Sequence, residues 1–514
     1  MPVITLLLIA GTLYRLLPVL LGQPALAEMF LTEDGYLMLT VARSIALGEG
    51  MAVADGTIPT NGVQPLATYL FALPYAVTGG DKVSSLIGVH LIAAGVALLG
   101  AFAMKRVAAQ VLAPHDDDGR WSWLAAALWF TAPLLVLHTM NGLETGLYTL
   151  AILVTLLQFA HVLARGAAAG TGARLALGAL CGLAFLARND AAFLVIAIFV
   201  LWGLHDLVAL RLGFVETLRR VVPPGLLSLV IALPWLVNNQ LNFGSIVPIS
   251  GTAQSLSADF AQNADLLPAK IFEYLFPMLP VPASLETDTP AMIAFAVLSV
   301  LILSWFAFRV WQRGGTVRLV VAAYLAHAIA LSVYYGLFFG APHFFSRYLA
   351  PVAPLLILAS LVVLLDLARW TGRARAAALT AGVGLAGLVL SVLLLGRLLL
   401  PGVNEQGHFH VVRWVEENVP EDAWVGAVQT GTLGYWHDRT INLDGKVNPE
   451  ALAARRSKGH VLGYVVDSEI TYIADWHGVG AWAEDPRDGF SETFERVVDR
   501  PEDNLAVLKR REGS

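Results

Sequence analysis

Charge is what this 514-residue chain has least of: 14% of its residues are Asp, Glu, Lys or Arg, against 57% hydrophobic. Soluble domains carry about 25% charged and about 45–50% apolar residues. A water-facing surface over the whole chain is therefore excluded, and the mean hydropathy of +0.66 agrees. An excess of basic residues is also lacking. With 33 basic and 39 acidic side chains, a net charge of −6 and a pI near 6.1, the chain has no electrostatic footprint for nucleic acid. Its one cysteine, Cys181, excludes an intrachain disulfide and a cysteine metal centre. No H-x-x-x-H or carboxylate-rich spacing marks a metal site, and there is no nucleotide-binding fingerprint, so neither metal nor cofactor is expected. The segment Gly431-Thr432-Leu433-Gly434 lacks the third glycine and the Lys-Ser/Thr of a phosphate loop and reads as a turn.

What charge there is sits unevenly. Residues 1–401 hold 40 charged side chains (21 basic, 19 acidic), whereas residues 402–514 hold 32 (12 basic, 20 acidic). The first part is written for a bilayer and the last fifth for water. A helix crossing the hydrocarbon core needs about 20 mostly apolar residues. Eleven segments qualify, near 3–21, 84–104, 121–139, 145–164, 175–188, 190–206, 221–238, 291–308, 318–338, 348–368 and 377–397. The expected fold is a polytopic α-helical membrane protein of about 11 spans with a C-terminal soluble α/β domain. No cleavable signal peptide is evident. Fourteen of the 21 basic residues of the first part fall in alternate loops, among them Lys105, Arg106, Arg165, Arg220, Arg309, Arg313, Arg369, Arg373 and Arg375. By the positive-inside rule these loops are cytoplasmic, which puts the N-terminus inside and residues 402–514 outside.

Two outside loops are long. Loop 22–83 contains apolar stretches at 36–47 and 65–77, too short to span, which read as helices lying in the interface. Loop 239–290 is polar. In the tail, an amphipathic helix is expected at 405–418, strands near 423–428, 439–443 and 469–474, and a helix near 449–464.

Seven basic residues of the first part remain: Arg15, Arg43, Lys82, Arg188, Lys270, Arg347 and Arg397. Ionisable groups at membrane depth cost about 2.5–3.5 kcal/mol on insertion scales, so each needs a partner or a purpose. Several stand in clusters at the outer ends of spans. These are Glu33-Asp34-Gly35-Tyr36 with Arg43; Asn61-Gly62-Val63-Gln64; His138 to Glu144, which includes Asn141; Arg188-Asn189-Asp190; and His343 to Tyr348. All lie on one side of the membrane by the topology above. Carboxylates there suit general-base chemistry on a hydroxyl, and arginines suit a phosphate leaving group.

The acidic pair Glu33-Asp34, then Tyr36, Ala42-Arg43, Gly48 and Gly50 in a long first outside loop, resembles the opening of GT-C integral-membrane glycosyltransferases. The TNGVQPL stretch, the NGLET stretch, the Arg-Asn-Asp turn and the Arg347-Tyr348…Pro351…Pro354 run are similar to bacterial members, including arabinofuranosyltransferases and aminoarabinose- or mannosyltransferase relatives. The tail segment GTLGYWHDRTINLDGKVN looks like the outside domain of such members. The resemblance implies an inner-membrane hexosyl- or pentosyltransferase of the cell envelope, working on the periplasmic face without a cofactor. Its partners would be a polyprenyl-phosphate-linked sugar, a cell-envelope acceptor glycan, lipid or protein, and membrane lipids. It implies Asp34 as catalytic base with Glu33 beside it; Arg347, Arg188, Arg43, Tyr348 and His343 on the donor phosphate; and Glu144, Asn141, Asn61, Gln64, Asp190 and Tyr36 on acceptor or sugar. The chain departs from the commonest pattern with Glu at 33 and Gly at 35, which leaves open which acid takes the proton.

Other readings of the same residues stand beside this one. Asp34 is a good N-cap for the helix that follows. Arg188 and Asp190 can be a local ion pair, and Arg347 can snorkel to headgroups. A transporter or flippase also gathers charge at depth, and a membrane scaffold with an outside binding domain would explain the tail. The tail is expected to bind the acceptor or to close over the cavity.

Overall fold

A computed structural model describes residues 1–514 apart from 115, 117, 372, 400–407 and 513–514. Nine described helices are long and apolar enough to cross a membrane, from Pro2–Leu21 to Ala378–Leu395. A tenth span is the pair Arg120–Thr131 and Pro133–Met140, bent by 62°. The helix Thr171–Ala187 is shorter, with 17 residues, and occupies the expected 175–188 segment. Each expected span thus has its helix, as it must where lipid offers no partner to a backbone N–H or C=O. The boundary set at 401 and the start of the 405–418 stretch lie outside the described residues, as do the side chains of Arg373, Arg375 and Arg397.

The bend corrects the expectation of one straight span over 121–139. Pro133 has no N–H and cannot continue the ladder. The carbonyls left over are met by side chains: Arg15 donates from Nη1 to Phe130 O at 2.5 Å, and Ser391 Oγ donates to Thr131 O at 3.0 Å. Arg15 also donates to Thr139 Oγ1 at 3.1 Å and lies 4.1 Å from the centre of the Phe130 ring. It is buried, and it caps a broken helix from within the bundle.

The two short helices expected in the 22–83 loop are Glu33–Leu47 and Pro65–Thr78, joined through a two-residue ladder of β1 (Ala52–Val53) and β2 (Ile58–Pro59). The second loop is not irregular throughout. It contains Ile249–Ser255, Leu267–Leu275 and Ala283–Glu286, and Lys270 is neutralised there by Glu273 and Glu286.

The tail opens with the helix His408–Asn418 and builds one mixed sheet from β3 (Trp424–Ala427), β4 (Thr440–Asn442), β5 (Ile470–Asp475), β6 (Phe494–Arg500) and β7 (Leu505–Arg510), in the order β4-β3-β5-β7-β6. β3 is parallel to β4 and β5, and β7 is antiparallel to β5 and β6. The expected helix over 449–464 is two, Pro449–Lys458 and Leu462–Asp467, parted where Gly459 takes φ 76°.

The sheet domain is not an appendage. Tyr36, Leu37, Val41, Phe71 and Tyr75 of the loop share one buried core with Tyr435, Leu443, Val465 and Ile473 of the tail. Tyr75 and Tyr435 hydroxyls meet at 2.9 Å, and Tyr435 donates to Lys82 O at 2.6 Å. Arg43 and Lys82 both reach Asp438 at 3.0 Å.

Candidate active site

At the junction of the bundle, the two long loops 22–83 and 239–290 and the tail lies a cavity of about 340 Å³. The helix Glu33–Leu47 presents Asp34, Leu37 and Met38 to it, spaced i, i+3 and i+4 on one face. Its N-cap is Thr32, whose Oγ1 accepts from Gly35 N at 3.2 Å, so Asp34 is not the cap. Gly35 and Gly62 are there because backbones close in. A Cβ on Gly35 would lie 2.0 Å from Asn141 O, and one on Gly62 would lie 1.9 Å from Lys446 O.

Asp34 is held by two cations. Arg347 donates from Nη1 to Oδ2 at 3.0 Å, and Lys446 Nζ stands 3.5 Å from Oδ1. Burial works against the charged form, but Lys446 and Arg347 outweigh it and hold this carboxyl at about 2. Burial likewise disfavours the Lys446 ammonium, and Asp34 and Asp444 raise its pKa nonetheless. Both cations rest on Phe344, with Arg347 Cζ 4.4 Å and Lys446 Nζ 5.4 Å from the ring centre.

A second cluster forms the opposite wall. Arg188 Nε is 2.9 Å from Asp190 Oδ2, and its Nη1 is 3.4 Å from Glu144 Oε1. Tyr335 accepts from Arg188 Nη2 at 2.9 Å and donates to Asp190 Oδ2 at 2.7 Å. The Tyr335 and Tyr348 rings stack at 4.2 Å, and Arg188 lies 4.7 Å from the Tyr348 centre. Gln64 Oε1, Asn189 Oδ1 and Asp190 Oδ1 are buried at this wall without a hydrogen-bond partner among the described residues.

Of the residues singled out in the sequence, Asp34, Gln64, Glu144, Arg188, Asp190, Arg347 and Tyr348 line the cavity. Six do not. Glu33 turns to the tail, where its carboxylate accepts from the backbone N–H groups of Gly431 and Thr432 and from Thr432 Oγ1, with His408 Nδ1 3.7 Å away. The Gly431–Trp436 segment that receives it is a helix, not the expected turn. Tyr36 donates to Ala27 O at 2.5 Å, and Arg43 donates from Nε to Gly80 O at 2.8 Å. Asn61 Oδ1 accepts from Ile249 N, and Asn141 Oδ1 accepts from Leu143 N. His343 is exposed against Phe344, with ring centres 4.0 Å apart. The sequence reading missed Lys446, Tyr335 and Asn189 as individual residues. The DGKVN end of the quoted tail segment was the signal for Lys446, and the Arg-Asn-Asp turn was the signal for Asn189. Among the described residues no group of three or more His, Cys, Asp or Glu is placed to hold a metal.

Bundle, loop helices and docked sheet domain together form a fold that this chain shares with solved structures of membrane proteins. Among solved structures of this fold, ArnT from Cupriavidus metallidurans bound to undecaprenyl phosphate aligns with a TM-score of 0.59 at 14% identity, over 99% of this chain and 98% of that one. The Archaeoglobus fulgidus oligosaccharyltransferase in complex with Zn and sulfate aligns with a TM-score of 0.56 at 14% identity, over 92% of this chain and 68% of that one. AglB of the same organism, with an inhibitory peptide and a dolichol-phosphate, gives 0.57 at 14% identity, over 93% and 69%. A family described as a domain of unknown function, DUF8728, matches residues 401–501, most of the tail. A comparison with curated proteins found no match.

Proposed function

We propose that the protein is an inverting glycosyltransferase that moves a sugar from a polyprenyl-phosphate donor to an acceptor hydroxyl, on the outer face of the bacterial plasma membrane. The observation that carries this reading is Asp34 held between Arg347 and Lys446 at the cavity wall. A donor phosphodiester carries one negative charge, and the polyprenyl phosphate that leaves carries up to two. Cations that meet that phosphate therefore stabilise the transition state more than the ground state.

In this scheme Arg347 and Lys446 transfer from Asp34 to the donor phosphate. That frees the carboxylate and raises its basicity, because the cations depressing its pKa now face another anion. Asp34 takes the proton of the acceptor hydroxyl, the hydroxyl oxygen bonds to the anomeric carbon, and the bond from that carbon to the phosphate oxygen breaks on the opposite side. The unpartnered acceptors Gln64 Oε1, Asn189 Oδ1 and Asp190 Oδ1 are the complement of sugar hydroxyls. The stacked Tyr335 and Tyr348 rings, also at this wall, offer a sugar an apolar face. The ArnT and AglB complexes, with undecaprenyl phosphate and dolichol-phosphate, support a lipid-linked donor. The outward placement rests on the positive-inside count, and the cavity lies at the ends of spans away from those basic loops.

The test is transfer from undecaprenyl-phosphate-linked sugar in proteoliposomes. Asp34→Asn is expected to keep undecaprenyl phosphate binding and lose transfer, and near-normal turnover overturns the assignment. NMR of the wild-type product is expected to show inverted anomeric configuration.

A further inference from the structure

The catalytic reading leaves a larger space unused. On the face opposite the cavity, a cleft of about 1110 Å³ opens between the helices Lys82–Leu112 and Thr145–Arg165, with the Arg313–Val317 turn at its end. Glu144 caps the second of these helices at the cavity, and a rise of about 1.5 Å per residue puts His161, in the cleft, about 25 Å away. The two sites therefore lie at opposite membrane surfaces.

The ionisable residues lining the cleft are Lys105, Arg106, Arg313 and His161, with no carboxylate among them. Arg313 is fixed, donating from Nη1 to Gln110 O and Val111 O at the end of the long helix. Lys105 Nζ stands 5.6 Å from the Trp123 ring centre, and among the described residues neither it nor Arg106 pairs with a carboxylate. Toward the membrane middle the same cleft turns apolar, through Phe102, Leu99, Leu150, Val154 and Leu157. Leu99 and Phe102 are 57% and 48% exposed. Cations at the headgroup level with an apolar wall leading inward match an anionic amphiphile, whereas a free anion has no use for the wall.

We infer that this cleft binds an anionic glycerophospholipid of the leaflet opposite the catalytic cavity. Its phosphate sits among Lys105, Arg106 and Arg313, and an acyl chain lies along Phe102, Leu99 and Leu157. The inference does not depend on the transfer reaction.

The experiment places the full chain in dioleoylphosphatidylcholine nanodiscs doped with increasing dioleoylphosphatidylglycerol and counts retained phosphatidylglycerol by native mass spectrometry. The Lys105→Gln/Arg106→Gln variant should bind this lipid roughly 25-fold more weakly, and Arg106→Gln alone, at an exposed position, about fivefold more weakly. Lys458→Gln in the tail, where Lys458 pairs with Asp488, serves as the control for net charge and should leave retention unchanged. Equal retention by wild type and the single and double variants overturns the proposal. So does release of the lipid by millimolar inorganic phosphate, which would mark a simple anion site.

Discussion

Two arginines line the same cavity and are held in opposite ways. Arg188 is closed in: Asp190 is two residues away, Glu144 and Tyr335 complete its shell, and the charged side chains of the cluster are 5–9% exposed. Arg347 is open: its partner Asp34 comes from the first long loop, that carboxylate is shared with Lys446 of the tail, and exposure rises to 12–21%. A buried arginine held by two carboxylates is not released to a ligand and fixes the shape of the wall, leaving only the second oxygen of Asp190 to face one. A carboxylate shared by two cations at the edge of a cavity can give either cation up.

That contrast can be broken experimentally, and the largest effect is expected at Asp34. Asp34→Asn should lower transfer by about 10³-fold, within the range for loss of a general base, while undecaprenyl phosphate binds at least as well because Arg347 and Lys446 no longer face a carboxylate. Arg188→Met should act on stability instead. Leaving two buried carboxylates without their cation costs about 3–5 kcal/mol, read as a lower thermal midpoint in detergent, and Arg347→Met should lose activity with a much smaller drop in the midpoint. Equal midpoints for the two variants would erase the distinction. Lys446→Ala should reduce kcat/KM by about 10- to 100-fold, the worth of one charged contact of about 1.5–3 kcal/mol.

Acid sharpens the comparison further. The Asp34 carboxyl is held at about 2, below an unfolded value near 4. Its ion pairs therefore contribute fully above about pH 4, and that contribution is lost as pH falls through about 2. Tryptophan fluorescence of Asp34→Asn should show a flatter stability profile in that window. The smallest change is expected at Asp438→Asn, where two partly exposed bridges to Arg43 and Lys82 contribute at most about 1 kcal/mol each.

The spans were legible because lipid imposes a length and a composition that soluble folds do not. The bend at Pro133 was missed, because the apolar run passes over it without a break. The facing of the acid-bearing helix was harder. Glu33, Tyr36 and Arg43 sit within a few residues of Asp34, but steps of about 100° per residue turn them toward the loop and tail. Nearness in sequence grouped residues that the helix separates. Lys446 failed for the converse reason, since nothing local ties it to an acid in the first long loop. Strands β6 and β7 were missed: β7 is a mostly apolar run buried between β5 and β6, and β6 is a largely exposed edge.

The bond between Glu33 and the Gly431–Trp436 helix spans 398 residues of sequence. The loop leaves the ribosome early, with Tyr36, Phe71 and Tyr75 awaiting a core that only the final stretch supplies. Contacts of such separation form late. The order of synthesis thus imposes an order of maturation: the bundle inserts first, and the loop stays exposed and in need of protection until the sheet docks. A polypeptide terminated before residue 431 would assemble its membrane helices around an acid that never meets Lys446.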